Sequence, residues 1–132
     1  MEQFVSYITL GVNDIDNSRY FYENCLNLPR VKSPPGVNFF SLGQTRLAIW
    51  SCASLAAAGG LTPDRSGFPG FCLSHNVHSQ HEVDDLLFRV TSFGANVTKA
   101  AHLTDWGGYA GYFTDPDGFL WEIVYNPKFS KT

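Results

Sequence analysis

The sequence predicts an α+β protein built from two βαβββ modules, whose four-stranded antiparallel sheets curve around a shared cleft with the helices outside. Three observations carry this prediction. Strand-like alternation leads into a capped helix twice, near residues 4 and 71, and further strand candidates follow each helix. The two halves superpose without forcing: Tyr7 falls on Cys72, Val12 on Val77, Phe40 on Phe113, and Ala48-Ile49 on Glu122-Ile123. The last strand candidate follows Asp115-Pro116-Asp117-Gly118, in which Pro116 pre-sets φ for a turn and Gly118 supplies positive φ. The expected organisation is one domain over residues 1–132, with modules at about 1–50 and 71–127 and a linker at 51–70.

In the first module, Phe4–Val12 alternates as a strand, with Tyr7, Thr9 and Gly11 on one face and Ile8, Leu10 and Val12 on the other. Asp14 is placed to cap a helix whose stripe is Ile15, Ser18, Tyr22, Cys25 and Leu26, and Pro29 is expected to end it. After the Pro34-Pro35-Gly36 turn, Val37–Leu42 and Arg46–Trp50 read as a hairpin around Gly43-Gln44. The linker, with Gly59-Gly60, Pro63, Gly67 and Pro69, has room for one helical turn at Leu55–Ala58.

The second module opens with the strand Phe71–Val77. Ser79-Gln80-His81-Glu82 is a capping box, with Glu82 expected to reach back to the Ser79 backbone. Val83, Leu86, Leu87, Val90 and Phe93 form a helical stripe stopped by Gly94. Asn96–Lys99, Tyr109–Thr114 and Leu120–Tyr125 supply the remaining strands.

Composition narrows the function. With 44% hydrophobic and 16% charged residues the chain is globular, and its net charge of −3 leaves no basic cluster to neutralise phosphates, which argues against a nucleic-acid partner. No apolar run is long enough to span a bilayer, so no membrane partner is expected. The N-terminus lacks the charged and apolar regions of a signal peptide. Cys25, Cys52 and Cys72 form an odd set without metal-type spacing, which suits a reducing cytoplasm. Aromatic residues make up 15% of the chain, enough to stock a core and also to line a cavity for an organic ligand.

Glu122 is the residue that asks for a functional explanation. It stands in the middle of an otherwise strand-like run, where a carboxylate is costly to bury without a partner or water. The segment Asp115–Ile123 resembles the final hairpin of the glyoxalase / bleomycin-resistance / extradiol-dioxygenase superfamily, also called vicinal oxygen chelate proteins. The opening module is similar as well: the strand Tyr7–Val12, the Val12-Asn13-Asp14 helix start, Ser18, the Phe21-Tyr22 pair and Leu26 follow the superfamily's order. The resemblance implies a metal held by four inward residues, one from the first and one from the last strand of each module. On this chain those positions hold Tyr7, Ala48, Cys72 and Glu122. Only Glu122 has a matching type, because Ala48 has no donor and Tyr7 would have to ionise. No metal and no cofactor are therefore expected.

A rival set, His75, His78 and His81 with His102, lacks the spacing of known local zinc motifs. Alternation from Cys72 places His75 under the helix as a satisfied core histidine, whereas a one-residue bulge would turn it into the cleft.

The cleft is then expected to be lined by Tyr7, Thr9, Trp50, Cys72, Ser74, Asn76 and Glu122, with Trp106, Tyr109 and Tyr112 approaching from the glycine-rich segment that begins at Asp105. Glu122 and Tyr7 are expected to pair by a hydrogen bond and are the candidate catalytic residues. Two functions compete. One is binding of a small aromatic molecule without a metal, as in the superfamily's drug-sequestering members. The other is an enzyme, either a metal-dependent glyoxalase-I-like lyase or dioxygenase, or a metal-free catalyst with Glu122 as acid/base. The superfamily's habit of pairing, and strand edges that need covering, imply a homodimer.

Overall fold

The structure is a computed structural model that describes residues 1–128. The described residues divide into two compact units, the first over residues 1–66 and the second from residue 67 on, each built around one four-stranded sheet.

Unit 1 runs β1 (Tyr7–Val12), α1 (Ile15–Tyr20) continuing as a π-helical turn (Phe21–Cys25), β2 (Arg30–Val31), β3 (Val37–Leu42), β4 (Thr45–Ser51) and α2 (Cys52–Ala58). The strand order is β1-β4-β3-β2, with β1 parallel to β4 and the other neighbours antiparallel. The sheet is therefore mixed, and the antiparallel description holds only for its last three strands. Asp14 caps α1 as expected, its side chain accepting from Asn17 N at 3.1 Å. The helix stops four residues before Pro29: Leu26 N–H reaches back to Phe21 O, and Asn27 turns the chain at φ 55°, a left-handed conformation that asparagine tolerates. Ser18, Phe21, Tyr22 and Cys25 are buried, as are Leu10, Val12, Phe40, Leu47 and Ile49 of the sheet, and the Tyr22 and Phe40 rings meet with centroids 6.2 Å apart. The linker's helical turn is longer than expected and begins at Cys52, where Ser51 Oγ accepts from Ser54 N.

Unit 2 repeats the order: β5 (Cys72–Val77), α3 (Gln80–Ser92), β6 (Asn96–Leu103), β7 (Tyr109–Thr114) and β8 (Leu120–Tyr125). Its sheet is β5-β8-β7-β6, with β5 parallel to β8. The pairing registers of the two sheets correspond residue by residue. Thr9 opposes Ala48 and Ala48 opposes Phe39 in unit 1, while Ser74 opposes Glu122 and Glu122 opposes Tyr112 in unit 2. This is the sequence superposition of Ala48 on Glu122 realised in hydrogen bonds.

Ser79 Oγ accepts from Glu82 N at 3.1 Å, one half of the capping box. The other half is displaced by one residue, since the Glu82 carboxylate takes the N–H of His78 and not that of Ser79. Val83, Leu87 and Val90 of α3 bury against one face of the sheet, where Phe113 and Trp121, cross-strand neighbours, stack with centroids 6.2 Å apart. The Asp115–Gly118 turn is held by its own first residue: Asp115 Oδ1 accepts from Asp117 N and Phe119 N, and Gly118 has φ 86°. That turn fixes where β8 begins, and hence which face Glu122 takes.

Candidate functional site

Period-two alternation on β8 sends Trp121 and Ile123 toward α3 and leaves Glu122 on the opposite, open face. Two cross-strand neighbours meet its carboxylate. Ser74 of β5 donates its hydroxyl to one oxygen at 2.8 Å, and Tyr112 of β7 donates to the other at 2.5 Å. Three strands thus contribute one row, Ser74–Glu122–Tyr112, and the carboxylate is oriented on both sides. Tyr112 has its pKa pushed up to about 12, first by donating to Glu122, then by partial burial and by the negative charge beside it. At neutral pH its hydroxyl is a fixed donor. The corresponding row of the first sheet, Thr9–Ala48–Phe39–Val31, carries no charge.

A depression of about 310 Å³ opens over the Glu122 row, lined among others by Lys99, His102, Trp106, Ala110 and Tyr112. Trp106 reaches the depression because Gly108 makes room for it: a Cβ at Gly108 would lie 2.2 Å from the indole ring. The ring remains 49% exposed, leaving surface for a ligand. A larger depression of about 930 Å³ in unit 1 is lined by Asp14, Asp16, Arg30 and Lys32. Arg30 there is already engaged by Asn38 at 2.9 Å and Glu23 at 3.7 Å.

The expected site residues separate into groups. Ser74, Trp106, Tyr112 and Glu122 belong to the open face of the second sheet or its rim. Asn76 stands on that face, two residues along from Ser74. Cys72 is exposed beside Ser74, with 3.6 Å between Sγ and Oγ. Tyr109 is on the other side: its hydroxyl donates to Asp84 of α3 at 2.7 Å, which raises its pKa. Tyr109 and Tyr112 are three apart on a regular strand, so they face oppositely, and the expected approach of Tyr109 to the Glu122 face is not made.

In unit 1, Tyr7 packs on Phe39 at 5.1 Å, and its hydroxyl accepts from Arg46 at 3.4 Å. Tyr7 and Glu122 each make these hydrogen bonds within their own unit. Thr9 opposes Ala48, and Trp50 opposes Gly11, on the same face as Tyr7. His75 is exposed and not a core residue, because β5 is an edge strand and α3 lies mainly over β6, β7 and β8. The register of β5 with β8 is unbroken, so no bulge turns His75 over.

Sequence reasoning missed Lys99 and His102 as members of this pocket. Strict alternation on β6 gives no hint of them, because two register shifts, between Val97 and Lys99 and between Lys99 and His102, set their faces.

The donor set does not fit a divalent metal of the superfamily type. Ala48 has no donor atom, the Tyr7 hydroxyl sits against a guanidinium, and both Glu122 oxygens already accept from hydroxyls. Among the described residues no three His, Cys, Asp or Glu side chains gather closely enough to hold an ion. His81 instead lies 3.1 Å from Asp85 on its own helix, and His102 Nδ1 lies 3.0 Å from Ala100 O. Among the described residues no helix is long and apolar enough to cross a membrane.

A comparison with curated proteins found no match. Solved structures are similar over nearly the whole chain. A glyoxalase-related enzyme from Fulvimarina pelagi is 33% identical with a TM-score of 0.87, covering 96% of this chain and 90% of that one. A lactoylglutathione lyase from Agrobacterium tumefaciens is 24% identical with a TM-score of 0.72 and 97% of each chain covered. A genomically encoded fosfomycin resistance protein from Listeria monocytogenes is 24% identical with a TM-score of 0.75, covering 96% and 95%. The last two likenesses show the fold alone. With its paired βαβββ units in matching register and a family profile matched over residues 5–123, the chain belongs to the Glyoxalase/Bleomycin resistance protein/Dioxygenase superfamily.

Proposed function

We propose that this protein binds a small aromatic or conjugated organic molecule, without a metal, in the depression on the open face of its second sheet. The observation that carries this reading is the meeting in that one depression of a partly exposed indole, Trp106, with an oriented carboxylate, Glu122. Its volume of about 310 Å³ suits a small ligand. The Tyr112 and Ser74 hydroxyls hold the carboxylate still, so it can accept a hydrogen bond from a ligand without first losing side-chain freedom. Stacking on one ring contributes about 0.5–1.5 kcal/mol beyond the burial of area. Trp106→Ala should therefore weaken binding of an aromatic fragment by about threefold to tenfold. A fragment panel read by tryptophan fluorescence and thermal shift tests this: no binding at millimolar concentration, or equal binding by the alanine variant, sinks the reading.

Acid/base catalysis by Glu122 is the second reading. It is favoured by the hydroxyls of Ser74 and Tyr112, which hold the carboxylate in place, each on one oxygen, and Tyr112 keeps its proton at neutral pH because its pKa is raised. We further infer a homodimer, since each sheet ends in strands hydrogen-bonded on one side only, and a cytoplasmic location, which Cys25, Cys52 and Cys72 outside any disulfide suit. Sedimentation at micromolar concentration should give the dimer mass, and a monomer would refute this.

A further inference from the structure

We propose that the depression takes a bifunctional organic acid: its carboxylate is held by Lys99 and His102 of β6, and a hydroxyl or amino donor on the same molecule is directed to Glu122. This deepens the binding reading above and rests on it.

The argument starts from the irregularity of β6. Val97 opposes Phe113, which is buried on the α3 side of the sheet. Strict alternation from Val97 would send Lys99 to that same side. The first register shift turns Lys99 over, so that it opposes Tyr112, and the second leaves His102 opposite Ala110. Tyr112 and Ala110 are two apart on β7 and share the Glu122 face. Both basic side chains are thereby brought to the rim of the same depression, and both line it. Bulges that re-aim a side chain are characteristic of binding and catalytic edges.

Neither basic group is used up by the protein. Lys99 has no ion-pair or hydrogen-bond partner among the described residues. His102 Nδ1 lies 3.0 Å from the Ala100 carbonyl, which can only accept, so Nδ1 carries its hydrogen. That leaves Nε2, which makes no hydrogen bond among the described residues, as the ring nitrogen available to a ligand. Acidic groups line the same depression: Glu122 from β8, across the sheet, and Asp105 from the turn that follows β6. A simple anion would meet these carboxylates, and a simple cation would meet Lys99. A molecule carrying both kinds of group complements the site. β6 and β8 are two strand spacings apart, roughly 10 Å, with Tyr112 between them, so the two groups of the ligand must be separated by a short body. Trp106 stands beside that body.

Four probes that share one phenyl ring separate the contributions: 4-hydroxybenzoate and 4-aminobenzoate carry both groups at opposite ends of the ring, benzoate the carboxylate alone, and phenol the donor alone. Calorimetric titration of the intact protein should show the first two binding about tenfold or more tighter than either single-group probe, with the difference shrinking as salt rises. Lys99→Met should abolish the advantage of the carboxylate probes and leave phenol binding unchanged. If phenol binds as tightly as 4-hydroxybenzoate, or if Lys99→Met weakens all four alike, the carboxylate assignment is overturned while the pocket stands. If none of the four binds, the pocket reading falls with it.

Discussion

Gly111→Ala is expected to destabilise the protein by about 1–3 kcal/mol, the usual cost of overpacking a filled interior. Gly111 is buried on β7, facing α3, beneath the irregular stretch of β6. An added Cβ would lie 2.4 Å from a terminal methyl of Leu87 and 3.1 Å from the backbone nitrogen of Ala101. The first overlap can be relieved by a rotamer change in α3. The second cannot, because Ala101 lies in the segment that bulges between Lys99 and His102. The substitution therefore presses on the bulge itself, and the placement of Lys99 should suffer along with stability. Chemical denaturation gives the first quantity, and amide exchange at Ala100–His102 reports the second. Pairing it with Leu87→Val should recover part of the loss but not the exchange protection. A variant within about 0.5 kcal/mol of the parent, with β6 exchange unchanged, would show that the bulge does not need the glycine.

Gly111 also marks where the sequence stopped being legible. Strands β3, β7 and β8 have the bounds their alternation predicts, because each buries one face under a helix and shows the other to solvent, and that asymmetry is written in period two. The two-residue strand Arg30–Val31 is too short to alternate, and the π-turn Phe21–Cys25 leaves only a small change in the spacing of apolar residues. Glu122 was readable as the centre of the site because a lone carboxylate in mid-strand is costly. Its partners are partly readable: alternation from Cys72 puts Ser74 on the same face, whereas the resemblance points to Tyr7 as the hydrogen-bond partner. Tyr109 could have been set aside on alternation alone, since it and Tyr112 have opposite parity on one regular strand. Lys99 and His102 could not be found in this way. A bulge leaves no periodic trace, and the residue that permits this one, Gly111, sits on a different strand.

Glu122→Leu should weaken binding of a donor-bearing aromatic ligand by roughly tenfold to a hundredfold, the span expected for losing a hydrogen bond to a charged group. The fold should tolerate the change, because Glu122 is only partly buried and the freed Ser74 and Tyr112 hydroxyls can turn to water. A second readout shows whether the carboxylate is also what holds Tyr112 protonated. Tyr112 is raised from 10.0 to about 12, with the Glu122 hydrogen bond as the largest cause. A folded-state pKa above the unfolded value means the contribution of this bond is fully present below about pH 10 and is lost as pH rises through about 12. Ultraviolet titration of the native protein should accordingly find Tyr109 and Tyr112 ionising late. In the leucine variant Tyr112 should return toward the ordinary value while Tyr109 stays late, and the part of the stability difference that comes from the Tyr112 bond should vanish at strongly alkaline pH. If the protein is a catalyst, the same substitution removes the base and should cost about 10²–10⁴ in rate, much more than it costs in affinity. Unchanged affinity together with an unchanged tyrosine titration would remove Glu122 from the site altogether and leave its place in mid-strand without a purpose.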